Sequence, residues 1–177
     1  MNNMSKLKPA VSAADHYQGA KDAKVVLVEY GDYQCPHCGH AYPIIKSVQK
    51  KMGHKLKFVF RNFPLSEAHP NAVHAAIAAE AASAQGKFWE MHDMIYENQN
   101  NLDDNHLLAF ATKIGLNVKQ FEADFDSSNC QKKVEADFES GVRSGVNGTP
   151  GFFINEEKYD DSWDEDVLLA NLEKLLK

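Results

Sequence analysis

Two cysteines three residues apart, in the run Cys35-Pro36-His37-Cys38, are the side chains of this sequence best placed to do chemistry. In the first turn of a helix, residues at that spacing share a face and come within the short Cα separation a disulfide needs. The chemistry this permits is reversible thiol-disulfide exchange. A structural zinc site is the competing reading, but it takes about four ligands, normally with a second Cys/His pair at short spacing. No second CxxC and no HxxxH occurs in the chain, and His37 and His40 lie too close to the pair to complete a tetrahedron easily. Pro36 suits the first helical position, where its missing N–H is not needed, so Cys35 becomes the cap residue. Unpaired amides, the helix dipole and partial protonation of His37 then favour a thiolate on Cys35, the species that attacks a disulfide. Stabilising that thiolate also favours the dithiol over the bridge, which makes the pair a stronger oxidant. Cys35, nearer the helix end and exposed, is expected to attack. Cys38, one turn in and more buried, is expected to resolve the mixed disulfide, with Pro36 and His37 tuning the couple.

The flanking pattern supplies the elements that hold this pair. Val25-Val26-Leu27-Val28 has the composition of a strand buried on both faces, running to Glu29-Tyr30 before Gly31 and Asp32 break it. Asp32 reads as a turn former. Beyond the cysteines, Ile44, Ile45 and Val48 recur at helical spacing, with Pro43 expected to kink the helix and Gly53 to end it. Lys55 to Phe63 alternates as a second strand, completing a right-handed β-α-β unit. The chain then turns helical: an alanine-rich helix from His69 to Gln85, one from Lys87 to Gln99, a third capped by Asp104 and a fourth capped by Asn117. A fifth begins near Ser128 with Val134, Phe138 and Val142 facing inward. Gly151 to Tyr159 resumes strand character with a turn at Asn155-Glu156. A last amphipathic helix, Trp163 to Leu176, turns Val167, Leu168, Leu172 and Leu175 toward the sheet.

Composition bounds the function classes. The 177 residues fit one domain with a real core, and 44% hydrophobic with 25% charged residues is ordinary globular usage. A net charge of -6 and the lack of a Lys/Arg cluster argue against nucleic-acid partners. Three cysteines cannot build a structural disulfide framework, and Cys130, at a helix start, is left over as either an activated thiol or a small buried filler. Met1 to Lys24 holds no apolar run of signal-peptide length and no stretch reaches membrane-span length. The sequence as it stands therefore reads as cytoplasmic, or as periplasmic or extracytoplasmic if a leader has been removed. His69, His74, His92 and His106 have no mutual ligand spacing and read as structural.

Cys-Pro-His-Cys after a strand ending in Glu resembles the DsbA family of thiol-disulfide oxidoreductases in the thioredoxin superfamily. The likeness extends to Gly86-Lys87-Phe88-Trp89-Glu90-Met91-His92-Asp93 and to Val146-Asn147-Gly148-Thr149-Pro150-Gly151-Phe152-Phe153-Ile154, and covers roughly Lys24 to the C-terminus. It implies an α/β chain, a thioredoxin fold with an inserted all-helical subdomain: an N-terminal arm over 1–23, a β-α-β first half over 24–66, a helical insertion over 67–145 and a β-β-α second half over 146–177. It also implies a low cysteine pKa and an oxidising couple. By the same resemblance Thr149-Pro150 is a cis-proline loop whose backbone binds an extended peptide. Thr149 stands where the best-known oxidases carry valine, which leaves the direction of exchange open. Glu29 matches a buried acidic residue able to relay a proton to or from Cys38.

The implied activity is disulfide exchange with protein or peptide thiol and disulfide substrates, with no metal or organic cofactor and with an unidentified redox-recycling partner. A disulfide isomerase or a cytosolic disulfide reductase is the alternative within that class. From another class, the chain is a non-catalytic peptide- or partner-binding module whose cysteines are incidental.

Overall fold

β2 (Val25–Gly31) is buried at every position but Val26, as expected of a strand with apolar residues on both faces. A computed structural model describes residues 5–177. In it β2 sits at the centre of a five-stranded sheet. In chain order the sheet is built from β1 (His16–Gly19), β2, β3 (Leu56–Asn62), β4 (Gly151–Ile154) and β5 (Glu157–Tyr159). Their spatial order is β1-β3-β2-β4-β5. β4 runs antiparallel to β2 with Glu29 opposite Phe152 and Tyr30 opposite Gly151. The β4–β5 turn falls at Asn155-Glu156, both at positive φ, and Asn155 Oδ1 accepts the Val26 amide.

Seven helices complete the described residues: α1 (Pro36–Met52), α2 (Ala72–Ser83), α3 (Phe88–Tyr96), α4 (Asp104–Lys113), α5 (Val118–Phe125), α6 (Ser128–Arg143) and α7 (Glu165–Lys174). This is the mixed α/β architecture that the resemblance implied. Contacts divide the chain into two compact units. One holds the chain up to Gly31, His40–Arg61 and Glu139–Lys177; the other holds Asp32–Gly39 and Asn62–Phe138. The turn carrying Cys35 and Cys38 thus belongs to the second unit.

In the first unit, the N-terminal arm is tied down; its first four residues lie outside those described. Leu7 is buried, its amide donates to the Glu156 carbonyl, and the Lys8 amide donates to Ser144 Oγ. The cause is Arg61, a cation on β3 that burial leaves in need of acceptors. Its guanidinium makes a bidentate pair with Asp15 (2.8 and 3.0 Å) and donates to the carbonyls of Pro9 and Ala10 and to Tyr30 Oη. Burial acts to lower the Arg61 pKa, but the bonds to Asp15 and Tyr30 outweigh it and hold the group above its ordinary value. On α7, Leu168 and Leu172 are buried as expected, whereas Val167 and Leu175 are exposed, because one face of a helix this short reaches the core with only one residue per turn.

The second unit is helical. α2 is buried on nearly all sides, and its alanines leave the room that close approach of neighbouring helices requires. Asn117 caps α5 by accepting the Gln120 amide. Asp103, not Asp104, caps α4, accepting the His106 amide. Val142 of α6 is 56% exposed, against expectation, because the buried stripe of that helix runs through Cys130, Val134, Asp137 and Ser140. A polar residue can occupy such a stripe when its hydrogen bonds are met. Asp137 Oδ2 accepts both the amide and the side-chain Nδ2 of Asn62, its Oδ1 meets Lys133, and Asn62 Nδ2 also donates to Glu80.

Burial pushes the Asp137 carboxyl above the usual carboxylate range, with Lys133 opposing and Glu80 adding. A raised folded-state pKa means that the stability linked to this proton is complete below the unfolded pKa and is lost as pH rises through the folded one. Asp137→Asn, which cannot ionise, should flatten that slope and gain on the wild type by about 1 kcal/mol between acid and neutral pH. Urea melts at the two pH values would show it, and an unchanged slope would refute it.

Candidate active site at the strand-to-helix turn

Between β2 and α1 the backbone turns on Asp32. Its Oδ1 accepts the amides of Gln34 (2.7 Å) and Cys35 (3.1 Å), and its carbonyl accepts the Cys35 amide again at 3.1 Å. This is the side-chain-to-backbone bonding that makes aspartate a turn residue. Cys35 then caps α1: its carbonyl accepts the Gly39 amide at 3.0 Å, and Pro36 follows at the first helical position. Cys35 and Cys38 are both thiols, one helical turn apart.

The Asp32 amide donates to Cys38 Sγ at 3.5 Å. A donor aimed at sulfur favours its thiolate. The Cys35 amide, by contrast, is committed to Asp32 and is not among the donors available to Cys35 Sγ. Cys35 is also less open than its cap position suggested: the residue is 4% exposed and Cys38 wholly buried, while Pro36 and His37 stand in solvent. Residues of the same unit hold the backbone of the turn. Gln99 Nε2 donates to the carbonyls of Tyr33 (2.8 Å) and Cys35 (3.0 Å). A Cβ at Gly39 would fall 1.9 Å from Gln99 Oε1, so glycine leaves the space that Gln99 fills. Tyr33 is buried with its ring against Tyr96 (5.0 Å) and His92 (5.7 Å), and Gln34 Oε1 accepts the Asn71 amide. Asp32 Oδ2 completes the cage by accepting from the Leu65 amide and from His69 Nδ1, each at 2.8 Å.

Glu29, Thr149 and Pro150, also singled out from sequence, lie in the first unit. Glu29 is 3% exposed near the end of β2, a buried carboxylate rather than a solvent-facing one. Thr149 and Pro150 are half-buried ahead of β4, and the bond joining them is cis, as is Lys8–Pro9. Since Tyr30 pairs with Gly151, the residue after Pro150 is in register with the strand that precedes Asp32. Cys130 is buried, and burial first, with Glu80 and Asp124 adding and Ser127 opposing, pushes its thiol above the ordinary value. That fits the filler and not the activated thiol. Sequence reasoning missed Gln99, which no local signal marks, and the partnership of Asp32 with His69, which it read only as a helix start. Among the described residues no three His, Cys, Asp or Glu are grouped to hold a metal ion.

The thioredoxin family model matches residues 12–174. The chain belongs to the thioredoxin family. As a family member it superposes on α-DsbA2 of Wolbachia pipientis, a thiol-disulfide exchange protein, with a TM-score of 0.83 at 22% identity over 93% of this chain and 88% of that one. BdbD of Bacillus subtilis gives a TM-score of 0.83 at 24% identity, covering 99% of both chains. The fold is therefore DsbA-like, a thioredoxin fold with inserted helices. In sequence, this thioredoxin-family chain is 39% identical over 169 residues to the Na(+)/H(+) antiporter NhaA 1 of Mycobacterium sp. (strain KMS), covering 94% of this chain and 28% of that protein. NhaA of Herminiimonas arsenicoxydans is 38% identical over 168 residues, 94% of this chain and 27% of the relative. The chain thus spans about a quarter of the length of the curated relatives it matches. No helix among the described residues is long and apolar enough to cross a membrane.

Proposed function

We propose that this chain is a DsbA-type thiol-disulfide oxidoreductase that exchanges disulfides with protein or peptide substrates through Cys35 and Cys38. The observation that carries the reading is the helix-capping Cys35 with Cys38 one turn behind it, the sulfur of Cys38 accepting the Asp32 amide. When the pair is a dithiol, the Cys35 thiolate attacks a substrate disulfide, and a mixed disulfide forms as one substrate sulfur leaves as thiolate. The Cys38 thiolate then attacks Cys35 Sγ, forming the internal bridge and releasing the second substrate thiolate. Two electrons pass to the substrate, and the same steps in reverse oxidise a substrate dithiol. No metal or organic group takes part, because the electrons move between sulfurs; turnover calls for a redox-recycling partner. The amide on Cys38 lowers the cost of its thiolate, the form required of both attacker and leaving group. In this assignment Pro36 and His37 tune the couple, Glu29 relays the Cys38 proton, and Thr149 and Pro150 bind the substrate backbone, each as the family resemblance implies.

Trapping tests the proposal. Cys38→Ser removes the resolving sulfur and should leave Cys35 joined to substrate in a dithiothreitol-sensitive adduct, the fraction trapped rising at least about tenfold over wild type. Mass spectrometry should place the bond at Cys35. No adduct with an unfolded disulfide-bonded substrate, or one borne by Cys130, would overturn it.

A further inference from the structure

We propose that Asp32 and His69 are a positioning pair that sets the redox poise of Cys35, Asp32 opposing the thiolate and His69 moderating that opposition. The inference rests on the exchange reading above. Asp32 has a fully buried side chain that accepts four N–H bonds: Gln34 and Cys35 on Oδ1, Leu65 and His69 Nδ1 on Oδ2. Three backbone amides donate to its two oxygens, the geometry of an acceptor-only carboxylate, and His69 Nδ1, 2.8 Å from Oδ2, is placed to donate the fourth bond. Cys35 Sγ lies within roughly 4 Å of its own nitrogen by covalent geometry, which puts a fixed negative charge within roughly 7 Å of the attacking sulfur. At that range, in a partly buried site, one charge shifts an ionisation equilibrium by about tenfold or more.

The electrostatics run opposite ways for the two partners. The carboxylate disfavours the Cys35 thiolate and so favours the disulfide over the dithiol. The His69 N–H draws the carboxylate's charge toward itself and weakens that effect. Leu65 and Gln34 contribute neutral amides. The other titratable groups in and against the turn include Cys38 and Tyr33, buried within it, His37, exposed within it, and His92, bonded to Asp93 behind the Tyr33 ring; Glu29 lies three residues earlier in the chain. These are the same in every variant below.

The test is the equilibrium of the full-length chain with reduced and oxidised glutathione, for wild type, Asp32→Asn, His69→Phe, His69→Asn and the double variant Asp32→Asn/His69→Phe. Asp32→Asn keeps an oxygen for the Gln34 and Cys35 amides but loses the charge, and should move the equilibrium about tenfold toward the dithiol. His69→Phe should move it about threefold the other way. The amide nitrogen of His69→Asn sits where Nδ1 does and should hold the equilibrium within about twofold of wild type. The double variant should match Asp32→Asn alone. Shifts of the same sign in both single variants, which loosening of the turn would produce, or no shift in either, would overturn the pair. The His69 side chain is 20% exposed, so its two substitutions are read even if Asp32→Asn folds poorly; equal values for Phe and Asn would refute the hydrogen bond's part. The exchange reading fails separately, by wild-type protein that leaves insulin disulfides intact while its glutathione equilibrium still responds to these variants.

Discussion

Cys35→Ser is expected to lower the rate of insulin reduction by at least about 10³-fold. A serine hydroxyl at the helix cap keeps the shape of the turn, since the cap bond from the Gly39 amide is accepted by the backbone carbonyl and not by the side chain. It does not ionise near neutral pH and forms no bond to sulfur that a second thiol can break, so the exchange sequence ends before its first step. Far-ultraviolet circular dichroism and the melting temperature should stay close to wild type, which separates lost chemistry from lost fold. Cys130→Ser should retain activity, because its thiol is buried and its ionisation disfavoured. Exchange that survives in Cys35→Ser would remove the enzyme reading and favour a module that holds peptides without reacting with them.

Arg61→Met is expected to cost about 3–5 kcal/mol of stability. The side chains of Arg61 and Asp15 are 3% and 5% exposed. Removing the guanidinium takes its bidentate pair from the buried Asp15 carboxylate and one donor each from the carbonyls of Pro9 and Ala10 and from the Tyr30 hydroxyl. A buried charge deprived of its partner carries its whole desolvation penalty. The loss should appear as a lower urea midpoint, together with faster hydrogen exchange at Leu7 and Lys8, whose amides are held while the arm is seated. Arg61→Met/Asp15→Leu removes both charges and should recover much of the loss. A single variant within about 1 kcal/mol of wild type would show that the ion pair does not hold the arm.

These two sites differ in how much of them could be read from the amino-acid order. The cysteine turn is local: a buried strand, a breaking Gly31-Asp32, a proline at the first helical position and two cysteines one turn apart lie within a dozen or so residues, and local geometry follows from local chemistry. The central strand, the helical insertion, the Asn117 cap and the Asn155-Glu156 turn are legible for the same reason. Val142, Val167 and Leu175 are apolar and on that ground expected to face inward, yet they are exposed, because which stripe of a helix is buried depends on what packs against it. On α6 that stripe contains Asp137 and Ser140, admitted because Asn62 and Tyr30 supply their hydrogen bonds from elsewhere in the chain.

By its order of residues alone the chain determined its fold class, the strand-turn-helix that carries Cys35 and Cys38, and the class of chemistry two thiols at that spacing can perform. Only the tertiary structure decided how deeply Cys35 is enclosed, that Gln99 spans its carbonyl, that Asp32 is a buried charge bonded to His69, and that Arg61 gathers the N-terminal arm. The physical reason is range. Backbone preference and helical period act between neighbours, whereas desolvation forces a buried charge or carbonyl to find a partner wherever the folded chain brings one, here 37, 46 and 64 residues away.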